Sequence, residues 1–254
     1  MAEHPAPLSI AAAQPQLRRN DLAYNAAAHA AVIRDAGTRL VVFPELSLTS
    51  YALDAPAVSL EDPVFDAIRE ACTETGSVAL VGAPVRETDG VEHIAAIRVD
   101  AEGPMVAYRK MYPDESEVRR FTAAADLVVM ELDGWRLGMA ICRDTGIFEH
   151  VAQTAELAKR SGLGGIDAYV AGALFTPKGA GRRDKRMPKL AAAYRMWVVQ
   201  ACFAGLGSDY PVTAGGSGIW APDGSVAAQA DDRPGRIVTA LLDFLRSRAA
   251  TAAN

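Results

Sequence analysis

Apolar and polar positions along this chain alternate between two rhythms. Leu8–Ala13 is an unbroken apolar run closed by Gln14-Pro15, the pattern of a strand covered on both faces. Asn20 or Asp21 supplies a helix cap, and the helical rhythm then runs to about Asp35, where Gly37 stops it. Arg39–Phe43 is a β-branched strand ending at Pro44-Glu45. A second helix is predicted over Pro63–Thr75, opened by Asp62 and closed by Gly76. Ser77–Val85, His93–Val99 and Met105–Lys110 follow as strands, then a polar helical patch at Glu115–Phe121. Leu127–Leu132 and Trp135–Cys142 flank the hairpin dipeptide Asp133-Gly134.

The second half repeats the alternation. A helix is expected at about Phe148–Ser161 and a strand at Ala168–Phe175. The stretch Lys178–Lys189 reads as an irregular, mobile basic loop because of Gly179 and Gly181, with a helix from about Pro188 to Trp197. Strands at Val198–Ala204, Ser217–Ala221, Val226–Ala230 and Arg236–Leu242 complete the pattern. Crossovers mixed with hairpins predict mixed sheets covered by helices. No Ser/Gly-rich linker divides the 254 residues, so one domain is expected, with its core over 8–243 and a tail over 244–254.

Composition narrows the function. Half of the residues are hydrophobic, 22% are charged and the formal net charge is −5, an acidic globular balance that disfavours a general nucleic-acid binder. Cys72, Cys142 and Cys202 are widely separated, with no C-x-x-C spacing, which argues against a disulfide scaffold or a structural zinc site. The first residues lack a basic segment followed by an apolar one, and no stretch reaches the roughly 18–20 apolar residues of a membrane span. A reducing cytoplasm, with no membrane partner, is the expected compartment.

Three strand ends carry reactive side chains: Glu45 after Val41–Pro44, Lys110 after Val106–Arg109, and Cys142 after Leu137–Ile141. Each has an ordinary explanation: a loop carboxylate, a lysine reaching water, an inert buried thiol. Together they form one possible mechanism, in which a thiolate attacks an acyl carbon, a carboxylate moves the proton and an ammonium stabilises the oxyanion.

Together, too, they resemble the nitrilase (carbon–nitrogen hydrolase) superfamily. The matching segments are Val41-Val42-Phe43-Pro44-Glu45-Leu46 with Ser50-Tyr51, Tyr108-Arg109-Lys110 with Glu117 and Phe121, and Gly138-Met139-Ala140-Ile141-Cys142-Arg143-Asp144 with Glu149. A fourth is Gly216-Ser217-Gly218-Ile219-Trp220-Ala221-Pro222-Asp223-Gly224. The resemblance runs from about Leu8 to Asp243 and implies an α-β-β-α sandwich. It also implies Cys142 as nucleophile, Glu45 as general base, Lys110 and the Arg143 backbone N–H as oxyanion donors, and Glu117 as an additional glutamate orienting substrate or lysine. Asp144 and Glu149 are expected to support the turn. Neither metal nor organic cofactor is implied, and relatives form homodimers or larger even assemblies.

The implied reaction is hydrolysis of a small linear amide through a thioester. Hydrolysis of N-carbamoyl amino acids or amines is the nearest alternative and nitrile hydrolysis the next; a catalytically silent binding module is the alternative of another class. Arg143 stands where relatives often carry an aromatic residue and Phe148 where they carry proline. Leu190–Tyr194 lacks the Arg-Ala-x-Glu-Asn signature, and Cys202 replaces a usual asparagine. Without the tryptophan that nitrilases commonly carry after the nucleophile, amides are favoured over nitriles. The six basic residues of 178–189 (Lys178, Arg182, Arg183, Lys185, Arg186, Lys189) read either as a solvated surface loop or as a mouth loop attracting a carboxylate-bearing substrate. His93 and His150 lie in no protease-type signature, and Cys202 is expected in the core.

Overall fold

A computed structural model describes residues 5–160, 165–206 and 208–243. The expected tail over 244–254 and the predicted helix end at Ser161 lie outside them. Among the described residues, twelve strands and four α-helices follow one another: β1 Leu8–Gln14, α1 Leu22–Ala36, β2 Leu40–Val42, α2 Asp66–Thr75, β3 Val78–Arg86, β4 Glu92–Asp100, β5 Gly103–Arg109, β6 Val129–Leu132, β7 Trp135–Ile141, α3 Phe148–Arg160, β8 Ala168–Ala173, α4 Pro177–Tyr194, β9 Trp197–Cys202, β10 Gly218–Trp220, β11 Val226–Gln229 and β12 Arg236–Leu242. The strands make two six-stranded sheets, ordered β12-β1-β2-β3-β4-β5 and β11-β10-β9-β8-β7-β6. In each, three central strands are parallel and the outer ones antiparallel.

Side-chain alternation explains the layering. Ile10, Leu40, Val42 and Leu80 of one sheet meet Leu137, Met139, Val170 and Val199 of the other in a buried core. The opposite faces of the same strands present Ala11, Val41, Ala79 and Val81 to α1 and α2, and Ala140, Tyr169, Ala171 and Val198 to α3 and α4. A sheet hydrophobic on both faces must be covered twice, and the result is the expected α-β-β-α sandwich.

Local signals place the elements. The Asp21 carboxylate accepts from the Tyr24 N–H at 3.1 Å at the start of α1. Gly37 and Gly76, both left-handed, end α1 and α2. Asp133 and Gly134 have φ of 50° and 82°, the twist a two-residue hairpin requires between β6 and β7.

Two expectations need correction. Glu115–Phe121 forms turns rather than a helix; the Phe121 N–H to Glu117 carbonyl bond closes one turn that is not continued. Residues 178–187, predicted as a mobile loop, belong to α4, an 18-residue helix with Pro188 inside it. Gly179, Gly181 and Pro188 lower helix propensity. Burial of Met187, Leu190 and Ala191 against Val151, Tyr169 and Trp220 outweighs that local preference.

Candidate active site

The segment carrying Glu45 runs between the two sheets. A β-carbon on Gly82 of β3 would fall 2.4 Å from the Pro44 carbonyl oxygen and the Leu46 nitrogen. One on Gly172 of β8, from the opposite sheet, would fall 2.6 Å from the Phe43 oxygen and 2.8 Å from the Glu45 nitrogen. Only glycine on both sides admits this backbone. Beyond it, Ser47 is fixed by His29: the Nδ1–H of His29 donates to the Asn25 carbonyl at 2.6 Å, and the Ser47 hydroxyl donates to Nε2 at 2.8 Å. Burial pushes His29 down to about 4, so the neutral ring serves as a structural link.

Lys110 follows β5, and its side chain is fully buried. Its ammonium donates to Glu45 Oε1 at 2.6 Å and to Glu117 Oε2 at 2.6 Å. Glu117, also fully buried, accepts further bonds from the Tyr51 hydroxyl at 2.6 Å and the Asp114 N–H at 2.6 Å. Two carboxylates, one 65 residues from Lys110 and one seven, therefore share its ammonium.

Cys142 follows β7 with φ of 46°, a left-handed conformation that costs a non-glycine residue about 1 kcal/mol or more. A 3-10 turn over Cys142–Gly146 begins there. Asp144 braces that turn, accepting from the Ile141 N–H at 2.9 Å, the Tyr112 N–H at 2.9 Å and the Tyr108 hydroxyl at 2.8 Å. One carboxylate thus ties the cysteine turn to the segment after Lys110. Behind it, His150 Nε2 lies 2.9 Å from the Tyr108 oxygen and Nδ1 2.7 Å from the Tyr169 oxygen. Burial pushes His150 down to about 4, and this neutral ring completes the brace.

The electrostatics follow from enclosure. Burial pushes Glu45 up to about 8; Lys110 opposes the shift and Glu117 adds to it. Burial works against the Lys110 charge, but Glu45, Cys142 and Glu117 outweigh it and hold the ammonium above its ordinary value. Burial, then Glu45, drives the Cys142 thiol well above its ordinary value. The resting sulfur is a thiol, donating to the Leu174 carbonyl at 3.6 Å. Glu45 Oε2 is buried and has no hydrogen-bond partner among the described residues.

Above this floor a cleft of about 460 Å³ is lined by Cys142 together with Tyr51, Asp114, Arg143, Phe175, Arg182, Arg186 and Tyr210. The five predicted residues fall in one region: Glu45, Lys110 and Glu117 in a direct hydrogen-bonded cluster, Cys142 within their field, and the Arg143 side chain at the mouth, paired with Asp114 at 3.1 Å. Tyr51 and the Asp144 brace were assigned no chemistry from the sequence; the only signal for Tyr51 was its place six residues after Glu45. The basic stretch divides. Arg182 and Arg186 reach the cleft, whereas Arg183 is buried and donates to the Gly215 carbonyl and Asp184, so it belongs to the scaffold. Cys202 is buried in the core as expected.

The four-layer sandwich thus carries the Cys142 thiol at a cleft, with the buried Glu45 carboxylate and Lys110 ammonium behind it. The model of the carbon–nitrogen hydrolase family matches residues 9–252, and the chain belongs to that family. A hydrolase from the pqqF 5′ region of Pseudomonas protegens is 32% identical over 124 residues; the match spans 46% of this chain and 44% of that protein. The crystal structure of XC1258 from Xanthomonas campestris, a CN-hydrolase superfamily protein with an arsenic adduct in its active site, has a TM-score of 0.86 at 18% identity, covering 99% of this chain and 96% of that one. The amidase of Nesterenkonia sp. AN1, as a cysteine-to-alanine mutant in complex with butyramide, has a TM-score of 0.79 at 21% identity, covering 98% and 96%. A glutamine mutant of that amidase carries the acetamide moiety of fluoroacetamide covalently on its active-site cysteine. Among the described residues no helix is long and apolar enough to cross a membrane.

Proposed function

We propose that this chain is a cysteine-dependent amidohydrolase that cleaves a small non-peptide amide through a thioester on Cys142. The observation that carries the reading is the buried Glu45–Lys110–Glu117 cluster beside a thiol at the base of an open cleft. A carboxylate with near-neutral basicity can take the thiol proton as sulfur attacks the amide carbon. The oxyanion then develops beside the Lys110 ammonium and the Arg143 backbone N–H. Glu45 passes its proton to the departing nitrogen, the C–N bond breaks and ammonia or an amine leaves. Water, losing a proton to Glu45, attacks the thioester, releasing the acid and restoring the thiol. Glu117 keeps Lys110 charged and oriented throughout.

A binding module would have no need of a carboxylate made basic by enclosure beside a thiol. Ammonia release from butyramide and related amides tests the reading directly. Cys142→Ser is expected to lower turnover by about 10³-fold or more, since an alcohol is a far poorer nucleophile under the same base. Mass spectrometry of the parent protein quenched during turnover should find an acyl group on Cys142. Folded protein that releases no ammonia from any amide and takes up no acyl group would make the silent module the better account.

A further inference from the structure

The floor of the cleft explains how an amide is broken but not which amide enters. The walls carry an uneven charge: Arg143, Arg182 and Arg186 against Asp114 alone. Arg143 and Asp114 already pair at 3.1 Å. Among the described residues no carboxylate pairs with Arg182 or Arg186, although most other arginines of the chain have one. These two residues are four apart in α4 and so share a face, while Arg183 turns inward and Lys178, Lys185 and Lys189 face solvent outside the cleft. Arg186 is half-buried. Arg182 is exposed, so the cost of two neighbouring like charges falls on the half-buried Arg186, and a bound anion would offset it.

A second observation points the same way. The Arg186 guanidinium lies over Gly146, the last residue of the turn that begins at Cys142. A β-carbon at Gly146 would stand 2.5 Å from Nη1 of Arg186, so a residue without a side chain is what lets the cation lie against the nucleophile's own turn. Burial and Arg182 both work against the Arg186 charge, whereas the Cys142 sulfur favours it, which places this guanidinium in the field of the reacting atom.

We infer that Arg182 and Arg186 form an anion subsite, and that the substrate is a small amide whose far end carries a carboxylate. The inference rests on the amidohydrolase reading of the same cleft. A planar guanidinium matches a carboxylate through two parallel hydrogen bonds, which fixes orientation as well as affinity. The carboxylate would hold the far end of the substrate at α4 while the amide carbon sits over Cys142. It would also offset the repulsion between the two arginines, giving selectivity against neutral amides of equal length.

The test separates binding from turnover. Calorimetry on the Cys142→Ser protein compares succinamate with butyramide, and glutaramate with pentanamide, at low and high salt. The acidic member of each pair is expected to bind roughly 10- to 100-fold more tightly at low salt, with the gap narrowing as salt rises. Added Arg182→Gln and Arg186→Gln changes should bring the ratio close to one, and Arg186→Lys should restore part of it. Gly146→Ala, which leaves both charges in place but displaces the guanidinium, should reduce the ratio without a charge change. The same ratio is read in kcat/KM with the parent enzyme. Equal binding of acidic and neutral amides, or a ratio untouched by the glutamine changes, overturns the subsite while leaving the amidohydrolase reading intact. Tight, arginine-dependent succinamate binding without ammonia release from any amide overturns the hydrolase reading and retains the subsite.

Discussion

Replacing Glu117 by glutamine isolates what the second glutamate does. Its carboxylate accepts from Lys110 and the Asp114 N–H on one oxygen and from the Tyr51 hydroxyl on the other. A glutamine can keep its carbonyl toward Lys110 and Asp114 and present its NH₂ to Tyr51, whose hydroxyl turns round to accept. The hydrogen-bond frame survives and one negative charge is removed. Because Glu45 and Glu117 each lie 2.6 Å from one nitrogen, their bonded oxygens are at most about 5 Å apart, a spacing at which two charges repel by about 3 kcal/mol at an effective dielectric of about 20. That corresponds to about two pH units at the upper end.

The sign is fixed by the mechanism. Glu45 must be deprotonated to act as base, so kcat/KM should rise with pH through its ionisation, near 8 in the parent protein. Glu117 raises that value, and its neutralisation should move the rising limb to lower pH by about one to two units. The assay is ammonia release under kcat/KM conditions between about pH 5 and 9.5, with circular dichroism confirming the fold. The plateau can fall as well, since Lys110 loses a partner. A limb that stays in place, or moves upward, would refute the claim that Glu117 tunes the base.

Two further outcomes follow from the same physics. Glu45 has a folded-state value raised above the unfolded one, so stability falls as pH rises from about 4.5 to about 8. Glu45→Gln should remove that loss, so its thermal midpoint should exceed the parent's by a margin that grows across this window; a constant margin would count against a proton held by Glu45. Gly172→Ala should cost about 1–3 kcal/mol in denaturant unfolding and lower activity too, because the added carbon meets Glu45's own backbone rather than a movable side chain. Loss of stability with full activity would show that the Glu45 segment is not positioned by that contact.

Glu45, Lys110 and Cys142 stand out in the sequence because each follows a predicted strand, and the structure gathers them in one region. What places them there does not stand out. Gly82 and Gly172 read as ordinary strand glycines until the other sheet and the Pro44–Leu46 backbone are known to pass over them. The partnership of Glu117 with Tyr51 spans 66 residues and has no local signature. The basic stretch was misread for a definable reason: Gly179, Gly181 and Pro188 argue against a helix locally, whereas Met187 and Leu190, buried on the sheet, decide for one. Once it is helical, the six basic residues are divided among its faces, and only Arg182 and Arg186 of the six reach the cleft.

Backbone strain is gathered where the chemistry is expected. Of the non-glycine residues with left-handed φ, Leu46, Ser50 and Tyr51 follow Glu45, and Cys142 is the sulfur-bearing residue itself. Such conformations persist only where neighbouring contacts over-determine them. Here the contacts are specific: Ser47 is held by His29 and accepts from the Gly82 N–H at 3.2 Å, Tyr51 is tied to Glu117, and Asp144 accepts from both the Ile141 N–H beside Cys142 and the Tyr108 hydroxyl. Each restraint joins a strained segment to a different part of the sandwich. The carboxylate, ammonium and thiol are therefore set by buried tertiary contacts before any ligand arrives, and little reorganisation is left for the reaction. That arrangement assigns rigidity to the floor and leaves selectivity to the arginines of the wall, where a change of side chain alters charge without disturbing the strained turns.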